Sequence, residues 1–279
     1  MNYINRVLEH YQAPNLIERI DQALTASDID PYKATVEDFS TMDEFHLRGA
    51  AATEELIKLL DPTSESQILD AGSGLGGPAR RLAQQKGCKV IGVDLCEDYC
   101  KTGNILSDRL GLASRVRLET GNVCDLSQFE SNSFDGAWSI HVGMNIKNKN
   151  VFYNQLFQVL KPNTKLVIYD VVVSNKQGEV AYPMPWANES STSFLVTEQE
   201  LIEQANKVGF EVLQSIDMSK ESLDFASQFI RKTKEAGSPP ATGIHILLGP
   251  VFRAIAPNIL SNLQNDSLRV VTLVFKKPL

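Results

Sequence analysis

The chain has 279 residues, 43% of them hydrophobic, and a formal net charge of −7. That supplies a sizeable core, and its scattered lysines and arginines offer no footprint for nucleic-acid phosphates. No run approaches the 18 apolar residues of a membrane span, and the N-terminal segment lacks the unbroken apolar stretch of an export signal, so a cytoplasmic protein with a small-molecule ligand is expected.

Residues 1–60 do not alternate between strand and helix patterns and read as an N-terminal helical cover. Residues 61–279 read as one α/β domain. In it, apolar runs at 67–71, 89–93, 116–118, 134–140 and 165–173 are separated by helical spacing at 78–86, 97–110 and 150–160. Near-continuous apolar strands separated by helices predict a doubly wound sheet covered on both faces. Thr197 to Glu200 form a capping box for a further helix, which Gly209 ends before runs at 210–217 and 268–277. The segments 174–196 and 218–266, the latter broken by Gly237-Ser238-Pro239-Pro240, fall outside the alternation and are expected to cover the ligand edge of the sheet. Four cysteines (Cys88, Cys96, Cys100, Cys124) without a C-x2-C pair, and four scattered histidines, predict reduced thiols and no metal site.

The stretch ILDAGSGLGGPAR, residues 68–80, sets Gly72, Gly74, Gly76 and Gly77 at the end of the first strand, with Asp70 at the seam. Glycines there let the backbone approach a nucleotide-like ligand, and the next helix offers its unpaired N–H groups. Asp70 would repel a pyrophosphate. It would attract an amino group or a sulfonium while the helix N-terminus accepts a carboxylate, and S-adenosylmethionine carries all of these. Asp94, 24 residues on, ends the second strand and suits ribose hydroxyls or the cap of the following helix. Asn122 and Val123 follow the third strand at the level of an adenine.

Taken together, ILDAGSGLGG, IGVDL, GNVCDL, SFDGAW and VLKPNTKLVIYDVV resemble the motifs of class I, Rossmann-like S-adenosylmethionine-dependent methyltransferases, over residues 45 to 215. FHLRGAAAT (45–53), SIHVGMNIKNK (139–149) and YPMPWANESSTSFL (182–195) are most similar to small-molecule members of the sarcosine/dimethylglycine N-methyltransferase kind. The resemblance implies a seven-stranded, mostly parallel sheet with an antiparallel last strand. It also implies S-adenosylmethionine bound by Asp70, Gly72, Ser73, Gly74, Gly76, Asp94, Leu95, Asn122, Val123 and Ser139. Asn122 departs from the aspartate of many members, and KPNTKL replaces the commoner proline-glycine-glycine turn.

Methyl transfer from a sulfonium is a displacement for which a protein must align the acceptor and exclude water. His141, at the end of the fourth strand, is the candidate base or acceptor-binding group because imidazole titrates near neutrality, with Asn145 the second catalytic candidate; the other reading of His141 is a structural histidine that orients the loop to Asn145. His46 reads as a second such group or a helix cap, and Trp186 as a wall of the acceptor pocket or an anchor for its loop. Arg48, Arg80 and Arg81 read as solvated charges or as partners of a carboxylate. The [DNS]-P-P-[YFW] motif of nucleic-acid amino methyltransferases is absent after the fourth strand. The expected acceptor is therefore small, an amine such as a glycine derivative or else a phenol, quinol or other natural-product-like molecule methylated on oxygen or carbon. A homodimer is compatible with this reading. The competing functions are a nicotinamide-dependent oxidoreductase and a non-catalytic cofactor-binding subunit.

Overall fold

In the computed structural model, residues 3–174, 179–238 and 240–279 are described. The expected cover loop at 174–196 lies partly outside them, as does Pro239 of the expected chain break. The first 60 residues form four helices: α1 (Tyr3–Tyr11), α2 (Leu16–Thr25), α3 (Val36–Asp43) and α4 (Ala50–Leu60). A capping box starts α3, with Thr35 and Asp38 each satisfying the other's backbone N–H. The alternation follows as β1 (Gln67–Ala71), α5 (Gly77–Lys86), β2 (Lys89–Asp94), α6 (Glu97–Arg109), β3 (Val116–Thr120), β4 (Phe134–Ile140), α7 (Lys149–Val159) and β5 (Leu160–Val173). The chain closes with α8 (Glu198–Val208), β6 (Glu211–Asp217), α9 (Ser219–Ala236), α10 (His245–Leu248), α11 (Phe252–Gln264) and β7 (Leu268–Lys276).

The strand order is β3-β2-β1-β4-β5-β7-β6, with β7 antiparallel to both β5 and β6 and the pairs from β3 to β5 parallel. The seven-stranded, mostly parallel sheet with an antiparallel last strand is therefore the one the motifs imply. β5 starts at Leu160, earlier than the apolar pattern at 165 suggests, because Leu160 already pairs with Phe134 across an irregularity that absorbs the polar KPNTK turn.

The period-2 alternation of the central strands divides the core between the two faces of the sheet. Ile68, Val90, Trp138 and Val167 meet Leu56, Ala79 and Leu82 of α4 and α5 on one face; Leu69, Val93, Ala137 and Leu166 meet Phe152, Leu156 and Leu201 of α7 and α8 on the other. A third cluster, with Ile20, Leu24, Phe39 and Met42 against Tyr99 and Leu106, fastens the N-terminal helices to α6. Each of these large side chains contributes about 1.5–3 kcal/mol by leaving water. The order reverses between β1 and β4, so the crevice beyond their carboxyl ends is where a ligand of such a sheet sits. Gly72 and His141 both lie there. No described helix is long and apolar enough to cross a membrane.

Candidate active site

After β1 the chain turns back on itself, with the Gly72 N–H donating to the Val93 carbonyl at 2.8 Å. Gly72 has φ +86°, and a Cβ there would lie 2.2 Å from Cγ2 of Val142, so both handedness and close approach exclude a side chain. Gly74 has φ +53° and open space where its Cβ would be, which leaves bare backbone facing a ligand. Its N–H donates to Oδ2 of Asp94 at 2.8 Å, while Oδ1 of Asp94 accepts from the Cys96 N–H at 2.9 Å. One carboxylate thus joins the glycine turn to the start of α6.

A cavity of about 510 Å³ opens along this turn. Asp70, Gly72, Ser73, Gly74, Asp94, Leu95, Asn122, Val123, His46, His141, Asn145 and Trp186 all line it. Two expected cofactor residues do not. Ser139 is buried and its hydroxyl donates to the Ala71 carbonyl at 2.8 Å, a staple between β4 and β1; the bare face of Gly76 is turned to Leu118, which lets α5 pack against β3. Asn122 holds its own turn, with Oδ1 accepting from the Cys124 N–H at 2.9 Å.

Asp70 is 1% exposed and its Oδ2 has no partner within the protein; the Ser73 hydroxyl is orphaned in the same way. Burial pushes the Asp70 carboxyl up to about 7 against the opposing pull of the Trp138 indole, with Asp94 raising it further. A buried polar atom without a partner is costly, so an unpaired carboxylate and hydroxyl beside a bare glycine turn are suited to a ligand that brings positive charge and donors. S-adenosylmethionine meets that requirement.

His141 sits at φ +53° where β4 turns away. Its Nδ1 lies 3.1 Å from the Tyr169 carbonyl, and its Nε2 accepts from the Leu47 N–H at 3.3 Å. A carbonyl only accepts and an amide N–H only donates, so the contacts assign a neutral ring with the proton on Nδ1. Burial lowers its pKa to about 4, and burial together with the neighbouring His141 lowers that of His46 to about 3. His46 Nε2 is 3.0 Å from the Gly49 carbonyl and 3.2 Å from the Thr53 hydroxyl. Neither ring therefore titrates near neutrality, in contrast to the expectation for a free imidazole. The Tyr169 hydroxyl donates to the Leu47 carbonyl at 3.2 Å, so the Leu47 peptide is gripped on both sides.

All the polar atoms of Asn145 are occupied. Oδ1 accepts from the Tyr11 hydroxyl at 2.8 Å, and Nδ2 donates to the Trp186 and Thr192 carbonyls at 2.9 and 3.2 Å. The contacts draw α1 and the loop after residue 182 onto the end of β4, and α1 roofs the cavity with Tyr3, Val7 and Tyr11. Trp186 is 3% exposed, walls the cavity and donates to the Ser193 hydroxyl at 2.9 Å, which unites its two expected readings. Lys149 donates to the carbonyls of Gly143, Ile146 and Phe194, and its burial lowers its pKa to about 8.

Arg80 and Arg81 prove to be buried rather than solvated. Arg80 donates to Asp43 at 2.7 Å and to the carbonyls of Leu75 and Gly103, and Arg81 pairs with Glu44 at 2.7 Å. These pairs latch the end of α3 onto the helix that follows the glycine turn. Tyr11, Asp43 and Lys149 carry no local signal, because each acquires its role from a partner remote in the chain.

Residues 69–168 match the methyltransferase domain family. The chain is similar to that family over this segment, which includes the glycine turn, Asp94 and His141. It is 29% identical over 172 residues to 24-methylenesterol C-methyltransferase 3 of Arabidopsis thaliana, covering 60% of this chain and 48% of that protein. The chain spans about half the length of the curated plant relatives it matches. In fold, the chain resembles a geranyl diphosphate methyltransferase in complex with GPP and sinefungin, with TM-score 0.73, 18% identity and 99% of each chain covered. A putative sarcosine dimethylglycine methyltransferase of Galdieria sulphuraria is also similar, with TM-score 0.65, 17% identity, and 82% of this chain and 83% of that one covered.

Proposed function

We propose that the chain is an S-adenosylmethionine-dependent methyltransferase that acts on a small-molecule acceptor. The observation that carries this reading is the unpartnered, buried Asp70 carboxylate beside the bare backbone of Gly72 and Gly74. A dinucleotide would place its pyrophosphate against that carboxylate, which disfavours the oxidoreductase reading. The matched family supports enzymatic transfer over a silent binding subunit.

Bound at this turn, the cofactor supplies an activated methyl on a sulfonium. Asp70 would meet the cofactor's positive charge, Asp94 would accept from the ribose hydroxyls through lone pairs its two backbone contacts leave free, and Asn122 with Val123 would hold the adenine. The N-terminus of α5 faces the cofactor's carboxylate. Roofed by α1 and Trp186, the cavity would exclude water and hold an acceptor beside the methyl donor. His141 acts as a positioning residue: through Leu47 it fixes the 44–49 loop over the acceptor.

Calorimetry tests the cofactor. S-adenosylhomocysteine should bind and NAD should not; the reverse result overturns the reading. Because Asp70 titrates near 7 when the site is free, S-adenosylmethionine binding at pH 7 should release protons, visible as a buffer-dependent heat that Asp70→Asn removes.

His141 has a separate test. Its folded pKa of about 4 lies below the ordinary value of 6.5, so the unfolded chain takes up the proton first. The stability contribution is full above about 6.5 and is lost as pH falls toward 4. His141→Asn should flatten part of this decline in melting temperature and leave the pH–rate profile between 6 and 8 unchanged in shape. An acidic limb near 6.5 that vanishes in the variant would instead make His141 the base.

The reading places the protein in the cytoplasm, which the four free cysteines support, and allows a homodimer, which light scattering would detect.

A further inference from the structure

The glycine turn and its carboxylates account for one end of the cavity, but the cavity extends beyond them to α9 and α11. Phe229 and Ile230 of α9 and Phe252, Ala256, Ile259 and Leu263 of α11 line it, with the Phe229 and Phe252 rings in edge contact at 5.7 Å. The α11 residues form one helical stripe. Phe252 and Leu263 at its ends are buried, whereas Ala256 and Ile259 between them retain partial exposure, so the middle of the stripe is the part open to the cavity.

Among the described residues no lysine or arginine lines the cavity, and its four charged side chains, Asp43, Glu44, Asp70 and Asp94, are all acidic. The buried cations around it are committed elsewhere. Arg48 is bidentate to Glu55 at 2.8 and 2.6 Å, Arg80 and Arg81 hold Asp43 and Glu44, and Lys149 serves three carbonyls. A carboxylate or phosphate entering this chamber would lose its hydration and gain no countercharge.

We infer that the acceptor is a predominantly apolar molecule seated against α9 and α11, and that it bears neither carboxylate nor phosphate. This rests on the methyltransferase reading, which makes the chamber an acceptor site, and it turns the substrate class away from the glycine derivatives the motifs imply.

The test titrates the full chain with farnesol and farnesyl diphosphate, which share a tail and differ in charge, together with cholesterol and dimethylglycine. Each is measured with and without S-adenosylhomocysteine by quenching of tryptophan fluorescence, since Trp186 lines the cavity. Farnesol or cholesterol should bind at least about 10-fold more tightly than farnesyl diphosphate or the carboxylate-bearing dimethylglycine. Ala256→Lys should weaken the apolar probe by about 10-fold or more while S-adenosylhomocysteine affinity is unchanged. Should that variant lose cofactor binding as well, the milder Phe229→Ala carries the test and should weaken the probe several-fold at constant cofactor affinity. Failure of both apolar probes, or farnesyl diphosphate or dimethylglycine binding as tightly as they do, overturns the inference. Apolar binding that persists in a protein with no affinity for S-adenosylhomocysteine overturns only the cofactor reading.

Discussion

Arg80→Met is expected to destabilise the protein by about 3–5 kcal/mol, the scale for stranding one partner of a buried ion pair. Arg80 is 0% exposed and Asp43 is 4% exposed. Burial already holds the Asp43 carboxyl above its ordinary range despite the guanidinium, so without Arg80 the carboxyl protonates and the loss stays finite. The double variant Arg80→Met/Asp43→Leu should recover most of the loss, because apolar side chains of similar volume replace a buried pair with little cost. What it does not recover measures the Leu75 and Gly103 carbonyls, which also lose a donor. Urea denaturation of the three proteins checks this; a single variant within about 1 kcal/mol of the parent would show that the latch carries little stability.

Asp94→Ala is expected to weaken S-adenosylhomocysteine binding by about 2–4 kcal/mol, or roughly 30- to 900-fold, while the fold survives. Two effects add in the same direction. The ribose loses a charged acceptor, and the Gly74 and Cys96 N–H groups lose the carboxylate that sets the shape of the turn. Calorimetry supplies the affinity and circular dichroism the fold. Unchanged affinity would remove Asp94 from the cofactor site.

The helices and strands of residues 67–217 were largely legible because their signals are local: apolar runs of strand length, the capping box at Thr197, and glycine where the chain must turn left-handed. Gly72 was legible as a close approach, although only the folded chain shows that it is Val142 that approaches. The charge state of His141 was not legible. An imidazole at a strand end reads as a titrating group until Leu47, 94 residues away, donates to its free nitrogen. Asn145 read as part of the chemistry, and it is the Tyr11 hydroxyl, 134 residues away, that reveals a clasp for the roof.

By itself the sequence determined the doubly wound sheet, the glycine turn and the two carboxylates at the ends of β1 and β2, since each depends on a residue's own conformational preference or on neighbours within a few positions. Tertiary structure decided which charges are spent and which remain available. Arg80 looked solvated until α3 brought Asp43 to it across 37 residues, and the middle of the apolar stripe of α11 was indistinguishable from core until the fold turned it to the cavity. Burial and pairing are properties of the packed molecule, and they assign buried groups their protonation state and the cavity its polarity.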